Sequence, residues 1–257
     1  MGANKAIGRS GTQSIERAMV LLREISARGQ FGWQLSDLAA RCHIERSTAH
    51  RILACLIRER LVRQRSNDRH YMPGPLLFEL GLSVPEFGEL QHVARSRLAA
   101  LARRTSGTAF LFMRSGDDFV CAVRAGGSEL KAATCIPGTR RPLVLSSGGV
   151  AILLALPVPE ARATIRRNLA ALNGYDEGRI RAIRNMLYRT HATGFAVNAG
   201  DTVHGVNGFG LALCDKAGAP FASIAIAGSE HTFPLERLPE LRQWLQETAT
   251  ELHGACH

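Results

Sequence analysis

The stretch from Ser36 to Leu56 constrains this chain more than any other. Ser36 is placed to cap a short helix carrying Leu38, Ala39 and Cys42, and a longer helix follows with Ala49, Ile52, Leu53 and Leu56 on a single face. A turn at His43-Ile44 separates them, and the small Ala39 sits where the two helices would cross. Two helices about four residues apart predict a helix-turn-helix. Where many such motifs place glycine in the turn this chain has His43, a residue type enriched at positive φ. Upstream, Ser14 can cap a helix whose apolar positions Ile15, Ala18, Met19, Leu22 and Ile25 recur at helical steps and end near Arg28-Gly29. Downstream, Leu61 to Arg65 and Arg69 to Met72 alternate around a Ser66-Asn67-Asp68 turn, which predicts a short hairpin, the wing of a winged helix.

The polar positions of this unit have the chemistry of a double-stranded DNA contact. Arg46, Ser47, Thr48, His50 and Arg51 open the second helix of the pair, a set able to grip phosphates and reach base edges in the major groove. Ser36, at the start of the preceding helix, and Arg63, Arg65 and Arg69 of the hairpin complete the candidate surface. The charge balance agrees: residues 1–75 carry 13 Lys and Arg against 6 Asp and Glu, while the rest of the chain carries 19 against 16. A basic head on a nearly neutral body is the electrostatic footprint of a nucleic-acid binder. A merely solvated arginine-rich face is the competing reading.

At Pro73-Gly74-Pro75 the composition changes, so residues 1–74, ordered from about residue 12, are read as the winged helix and 75–85 as a linker helix with Leu76, Leu77 and Leu80 along it. That stripe is either a contact between two heads or intramolecular core. Residues 86–257 are read as an α+β sensor. Its elements are a helix from Glu86 to Thr105, hairpins at Thr108–Val123 and Phe209–Ile226, and helices near Gly148–Leu156, Glu160–Ala171, Gly178–Thr193 and Leu235–Leu252. Ser146-Ser147-Gly148-Gly149 precedes the apolar helix of this set. Small residues at a helix start expose backbone N–H groups that can cradle a carboxylate, or simply let the helix pack closely.

Other classes of function find little support. The 257 residues, 46% hydrophobic and 21% charged, are ordinary globular composition with room for two domains. The longest nearly apolar run, Val150 to Val158, is too short to span a bilayer, and Met1 to Gly11 lacks an apolar signal core, so a cytoplasmic protein with no membrane partner is expected. The six cysteines are scattered without a CxxC pair and are expected to be buried free thiols. Gly205-Val-Asn-Gly208-Phe-Gly210 precedes a strand, contrary to a dinucleotide loop, and the tail His253-Gly-Ala-Cys256-His257 lacks outside ligands at metal spacing. No cofactor, metal or catalytic group is expected. Arg140 and Arg141 could meet an acidic ligand, or lie solvated or at an interface.

Ser14-Ile-Glu-Arg-Ala, Leu38-Ala-Ala-Arg, Ser47-Thr-Ala-His-Arg-Ile-Leu, Arg69-His-Tyr and Gly74-Pro-Leu-Leu-Phe-Glu-Leu-Gly together resemble the IclR family of bacterial transcriptional regulators. The order of Gly138-Thr-Arg-Arg-Pro-Leu, Ser146 to Ala155, Gly194-Phe-Ala-Val-Asn and Asp215 to Ile224 extends the resemblance through the second half. It implies a winged helix, a linker helix and a GAF-like effector-binding domain, working on a pseudo-palindromic operator as a homodimer or dimer of dimers. It further implies that the turn at Ser146, Ser147 and Gly148 belongs to an effector pocket, with other pocket positions at Asn198, Gly208, Ala225 and Ala227. Family members that sense small oxo-acids often carry Asp, Cys, Ser and Ser at these four places. The less polar set here favours a carboxylate effector with an apolar or aromatic body. Two rivals are an enzyme acting on a small acid with a DNA tether, and an architectural DNA binder with a structural C-terminal half.

Overall fold

A computed structural model describes residues 12–127 and 135–255. The chain divides into two compact units, Met1–Pro85 and Glu86–His257. In the first, α1 (Gln13–Arg28), α2 (Leu35–Arg41) and α3 (Arg46–Arg58) close around Leu21, Ile25, Leu38, Ala39, Leu53 and Leu56. The sequence favoured Ile15 and Met19 for this core, yet Ile15 is 61% exposed and Met19 39%. Met19 to Leu22 is an unbroken apolar run, so α1 offers two overlapping stripes, and the one through Leu21 and Ile25 faces the core.

The helix starts also differ from expectation. The residue preceding α1 is Thr12 rather than Ser14, and α2 begins after Gln34, with Ser36 already in the first turn and its hydroxyl donating to Asp37. The cause lies just upstream of α2: Trp33 exchanges both backbone hydrogen bonds with Tyr71, at 3.0 and 2.8 Å, so the extended chain must turn into helix immediately afterwards. His43 does adopt the left-handed conformation, at φ 53°. The Ile44 amide bonds back to the Ala39 carbonyl (2.9 Å) and that of His43 to Ala40 (3.1 Å), satisfying the last carbonyls of α2.

The wing is β1 (Val62–Gln64) paired antiparallel with β2 (Tyr71–Pro73). Next comes α4 (Pro75–Gly81), with proline where a helix needs no donor. The expected 75–85 linker helix stops at Gly81 because Pro85 disfavours a helical residue before it. Pro85 instead opens α5 (Pro85–Thr105).

The second unit is built on a six-stranded antiparallel sheet of order β5-β4-β3-β8-β7-β6. Its strands are β3 (Thr108–Ser115), β4 (Asp118–Gly126), β5 (Arg140–Pro142), β6 (Ala196–Ala199), β7 (Val206–Cys214) and β8 (Pro220–Ser229). Alternation sets the layers. Leu111, Phe209, Ile224 and Ile226 pack with α5 and α9 (Leu238–Ala255), whereas Phe110, Phe112 and Ala225 pack with α6 (Ser147–Ala155) and α8 (Glu177–Thr193). The sequence SGGVAILLA of α6 is apolar around its circumference beyond the first turn, and residues 147–153 are all buried. Lateral to it, α7 (Val158–Ala171) is tied to the β3–β4 turn, where the Arg167 guanidinium grips Asp117 at 2.6 and 2.8 Å. No helix among the described residues is long and apolar enough to cross a membrane.

Candidate functional site

From α2 to the wing the arginines of the first unit sort into two groups. Arg41, Arg58, Arg60 and Arg65 each meet a carboxylate, those of Glu24, Glu59, Glu79 and Asp68 respectively. Arg46, Arg51, Arg63 and Arg69 meet no acidic partner among the described residues, and all four are exposed on α3 or the wing. Ser36, Arg46, His50 and Arg69 border one cleft of about 490 Å³, floored by Leu35 and Tyr71. Ser47 and Arg51 are one turn apart on the next strip of α3. Arg69 reaches this position through a strained backbone, at φ 60°, with its amide bonded to the Arg65 carbonyl and its carbonyl to the Gln64 side chain, both at 2.9 Å.

The N-terminus of α3 carries its own anion. The Glu45 carboxylate accepts from the Thr48 amide at 2.9 Å and from the Ser47 hydroxyl. The Ser47 hydroxyl and then the backbone N–H groups hold its pKa down at about 2. The Thr48 amide at the helix start is therefore already satisfied by a carboxylate of the chain itself.

Arg65 differs from the phosphate contact expected of it. Its guanidinium grips Asp68 (Nε to Oδ1, 2.9 Å) and donates to the Gln30 carbonyl at 3.3 Å. Asp68 also accepts from the His70 amide at 3.2 Å. The Arg65 hydrogen bond holds the Asp68 carboxyl well below its usual range. This pair braces the wing, something charge counting could not reveal. Arg63 lies on the exposed face of β1, its Nε donating to the Pro73 carbonyl at 3.3 Å.

In the second unit the start of α6 meets the sheet. Ser146 caps the helix, its hydroxyl accepting from the Gly149 amide at 2.9 Å. Gly148 and Gly210 permit contact that no side chain would allow. A Cβ on Gly148 would lie 2.4 Å from the Phe112 ring, and one on Gly210 would lie 2.5 Å from the Ser147 carbonyl oxygen. Gly208 faces Ser147 as well, its virtual Cβ 3.1 Å from the hydroxyl and 3.7 Å from Ala227. Strand pairing sets Asn198 opposite Gly208, Gly208 opposite Ala227, and Phe110 opposite Ala225. Ser146, Ser147, Gly148, Gly208, Ala225, Ala227 and Asn198 thus gather around one helix start.

Three further residues belong to this place. Phe110 and Phe112 stack with ring centroids 5.3 Å apart and form an aromatic wall. The Ser223 hydroxyl, fully buried and 2.9 Å from the virtual Cβ of Gly148, finds no hydrogen-bond partner among the described residues. A single serine in an apolar strand carries no periodic signal, so the sequence does not mark Ser223. Asn198 serves the backbone instead: its amide donates to Thr202 Oγ1 (3.1 Å) and the Val206 carbonyl (3.3 Å), and its oxygen accepts from the Thr202 amide (3.2 Å). Ala227 also borders a cleft of about 500 Å³ with Thr108, Gly126 and Ser229. Arg140 is committed to Asp118 (3.1 Å) and Ser115, so it clamps the β3–β4 turn. Cys256 and His257 of the tail lie outside the described residues.

Comparison with known proteins agrees with both halves. Residues 14–66 match the IclR helix-turn-helix domain and residues 86–253 the bacterial transcriptional regulator IclR C-terminal domain. The chain is 27% identical over 243 residues to the HTH-type transcriptional regulator BhcR of Paracoccus denitrificans, covering 94% of this chain and 86% of that protein. It is 24% identical over 258 residues to the HTH-type transcriptional repressor AllR of Klebsiella pneumoniae, covering 99% and 93%. An IclR homologue from Microbacterium hydrocarbonoxydans, crystallised with 4-hydroxybenzoate, shares the fold with a TM-score of 0.68 and 17% identity over 95% of this chain and 98% of that one. The proteins it matches are regulators rather than enzymes, and this chain belongs to the IclR family of bacterial transcriptional regulators.

Proposed function

We propose that this regulator binds a pseudo-palindromic operator as a homodimer or dimer of dimers, and that a small carboxylate with an apolar or aromatic body controls it. The observation that carries the DNA reading is that Arg46, Arg51, Arg63 and Arg69, all exposed on α3 or the wing, meet no carboxylate among the described residues, whereas Arg41, Arg60 and Arg65 each do. Arg46, His50 and Arg51 then reach the major groove, while Arg63 and Arg69 meet flanking phosphates. Arg65 and Asp68 act by holding the wing. One head offers too few contacts for specific binding at physiological salt, so two must act together. Phe78, Leu80 and Leu82, 71%, 53% and 66% exposed, supply an apolar surface for that pairing. The name of the AllR relative favours repression.

The effector reading rests on the start of α6. Amides of its first turn, the Ser147 hydroxyl and the unpartnered Ser223 hydroxyl suit a carboxylate, and Phe110 and Phe112 suit an aromatic body. Gly208, Ala225 and Ala227 offer no side-chain hydrogen bond. The 4-hydroxybenzoate in the Microbacterium homologue is of this class. Calorimetry of the full chain against aromatic, aliphatic and dicarboxylic acids, with operator anisotropy measured alongside, tests the proposal. Aromatic monocarboxylates should bind best and change operator affinity. Preferential binding of glyoxylate-sized acids, or a monomer in sedimentation at operator-binding concentrations, would overturn it.

A further inference from the structure

The positive charge of the second unit is concentrated on two helices, away from the α6 start. Residues 158–193, which span α7 and α8, carry seven arginines against three acidic residues, whereas the rest of residues 86–257 carries 12 Lys and Arg against 12 Asp and Glu. Three of the seven are committed: Arg167 to Asp117, Arg189 to Asp201 at 2.7 Å, and Arg179 to the face of the Tyr175 ring. Arg162, Arg166, Arg181 and Arg184 are exposed and make no ion pair or hydrogen bond among the described residues. Two of the three acids are used up, since Glu160 meets Arg114 and Asp176 caps α8 by accepting from the Arg179 amide at 2.8 Å.

A groove of about 360 Å³ runs among α6, α7 and α8. Leu153 and Leu154 of α6, Val158 and Ile165 of α7 and Leu187 of α8 make it apolar, and the exposed Arg162 and His191 border it. Helical spacing extends the charged edges: Arg166 follows Arg162 by one turn on α7, and Arg184 precedes Leu187 by one turn on α8. The groove uses the C-terminal half of α6, so it is separate from the site at that helix's start. Leu154 and Val158 are large apolar side chains left exposed along it.

We propose that this groove docks an acidic amphipathic helix of a partner protein. Apolar residues of that helix at i, i+3, i+4 and i+7 enter between Leu154, Val158 and Leu187, and its carboxylates face Arg162, Arg166 and Arg184. Charge complementarity selects this occupant. A second copy joined by a two-fold axis through the same face would set these arginines against their own equivalents. Duplex DNA would match the charge, yet it presents a polar surface and would leave Leu154 and Val158 without an apolar counterpart.

The test titrates the full-length protein into a fluorescein-labelled synthetic helix of about 18 residues, with leucines on one face and glutamates elsewhere, followed by fluorescence anisotropy. One control peptide has the same composition with the leucines scattered around the helix; the other has lysine in place of glutamate. The acidic amphipathic peptide should bind at least about tenfold more tightly than either control. The double variant Arg162→Glu, Arg166→Glu, and separately Val158→Glu, should each weaken it at least about fivefold, whereas Arg46→Ala with Arg51→Ala in the head should not affect it. All these positions are exposed, and if one α7 variant lowers Tm the other decides. Equal binding of the scattered peptide, indifference to both α7 variants, or loss through the head variant overturns the proposal. If the α7 variants lower affinity for phosphatidylserine vesicles or unrelated duplex DNA and leave the peptide unaffected, the face serves lipid or nucleic acid and the proposal falls. A smaller oligomer for Val158→Glu in sedimentation makes the face a contact between copies, which also overturns it.

Discussion

Replacing Gly210 by Ala tests whether the seating of α6 on the sheet organises the second unit. The new methyl carbon would lie 2.5 Å from the Ser147 carbonyl oxygen, 2.6 Å from its carbon and 2.8 Å from the Gly148 nitrogen. The first of these is about 0.9 Å inside an ordinary 3.4 Å contact. All three atoms are backbone, so no rotamer can relieve the clash and the first turn of α6 must lift. Overpacking of this kind costs about 3 kcal/mol, against roughly 0.4 to 1 kcal/mol gained by removing glycine freedom from the unfolded chain. A unit of this size loses roughly 2 to 4 °C per kcal/mol, so Tm should fall by about 4 to 10 °C. Gly208→Ala is the matched control: its methyl meets the rotatable Ser147 hydroxyl at 3.1 Å and the Ile226 carbonyl at 3.3 Å, so overpacking and entropy should nearly cancel, within about 1 kcal/mol. Differential scanning calorimetry of both variants with wild type reads this directly. Equal Tm values for the two would refute the claim that backbone contact at Gly210 positions α6.

The remaining predictions concern the head. Arg51→Ala should weaken operator binding by about 1 to 3 kcal/mol in an anisotropy titration at fixed salt and leave effector binding unchanged; unchanged operator affinity removes Arg51 from the reading surface. Asp68→Ala should free Arg65 and loosen the wing, lowering operator and nonspecific affinity together despite the gain in positive charge, whereas tighter binding to both would show that charge outweighs wing geometry. Glu45 has a folded pKa of about 2, below its ordinary 4.5, so its cap is at full strength above the ordinary value and is lost as pH falls through the folded one. The Tm difference between wild type and Glu45→Gln should therefore be constant near neutrality and shrink from about pH 4 towards pH 2; a pH-independent difference would count against the carboxylate as cap.

The recognition pair was legible because its signals are local. The His43 turn, the apolar face of α3 and the alternation of the wing all depend on residues within a few positions of each other, and the left-handed His43 followed from its residue type. What the sequence hid was pairing at a distance. The Trp33–Tyr71 bridge moved the start of α2, and the Asp68 hub turned Arg65 from a phosphate ligand into a brace. Three-residue β5 and four-residue β6 escaped notice because so few residues cannot display alternation, and β5 ends in proline. Around α6 the small residues were visible, but Ser146-Ser147-Gly148-Gly149 read equally as a cradle or as packing. The geometry makes Gly148 a packing residue, pressed on Phe112.

Ser223 gives the proposed pocket its sharpest test, because the substitution should move two observables in opposite directions. Its hydroxyl is 0% exposed and unpartnered beside the α6 start, an arrangement that costs a folded protein about 1 to 3 kcal/mol. Such a cost is tolerable where a ligand later supplies the missing partner. In the unliganded protein, Ser223→Ala removes the buried orphan without changing the strand, so stability should rise by about 1 kcal/mol. In the liganded protein the same change removes a donor to the carboxylate, so affinity should fall roughly tenfold, equivalent to about 1.4 kcal/mol. Thermal melts without ligand and calorimetry with an aromatic monocarboxylate measure the two effects separately. A rise in Tm with unchanged ligand affinity would show that Ser223 is a structural orphan and that the carboxylate lies elsewhere. A fall in Tm would show that the hydroxyl is already satisfied in solution, which removes the main reason for placing the ligand against this face of the sheet.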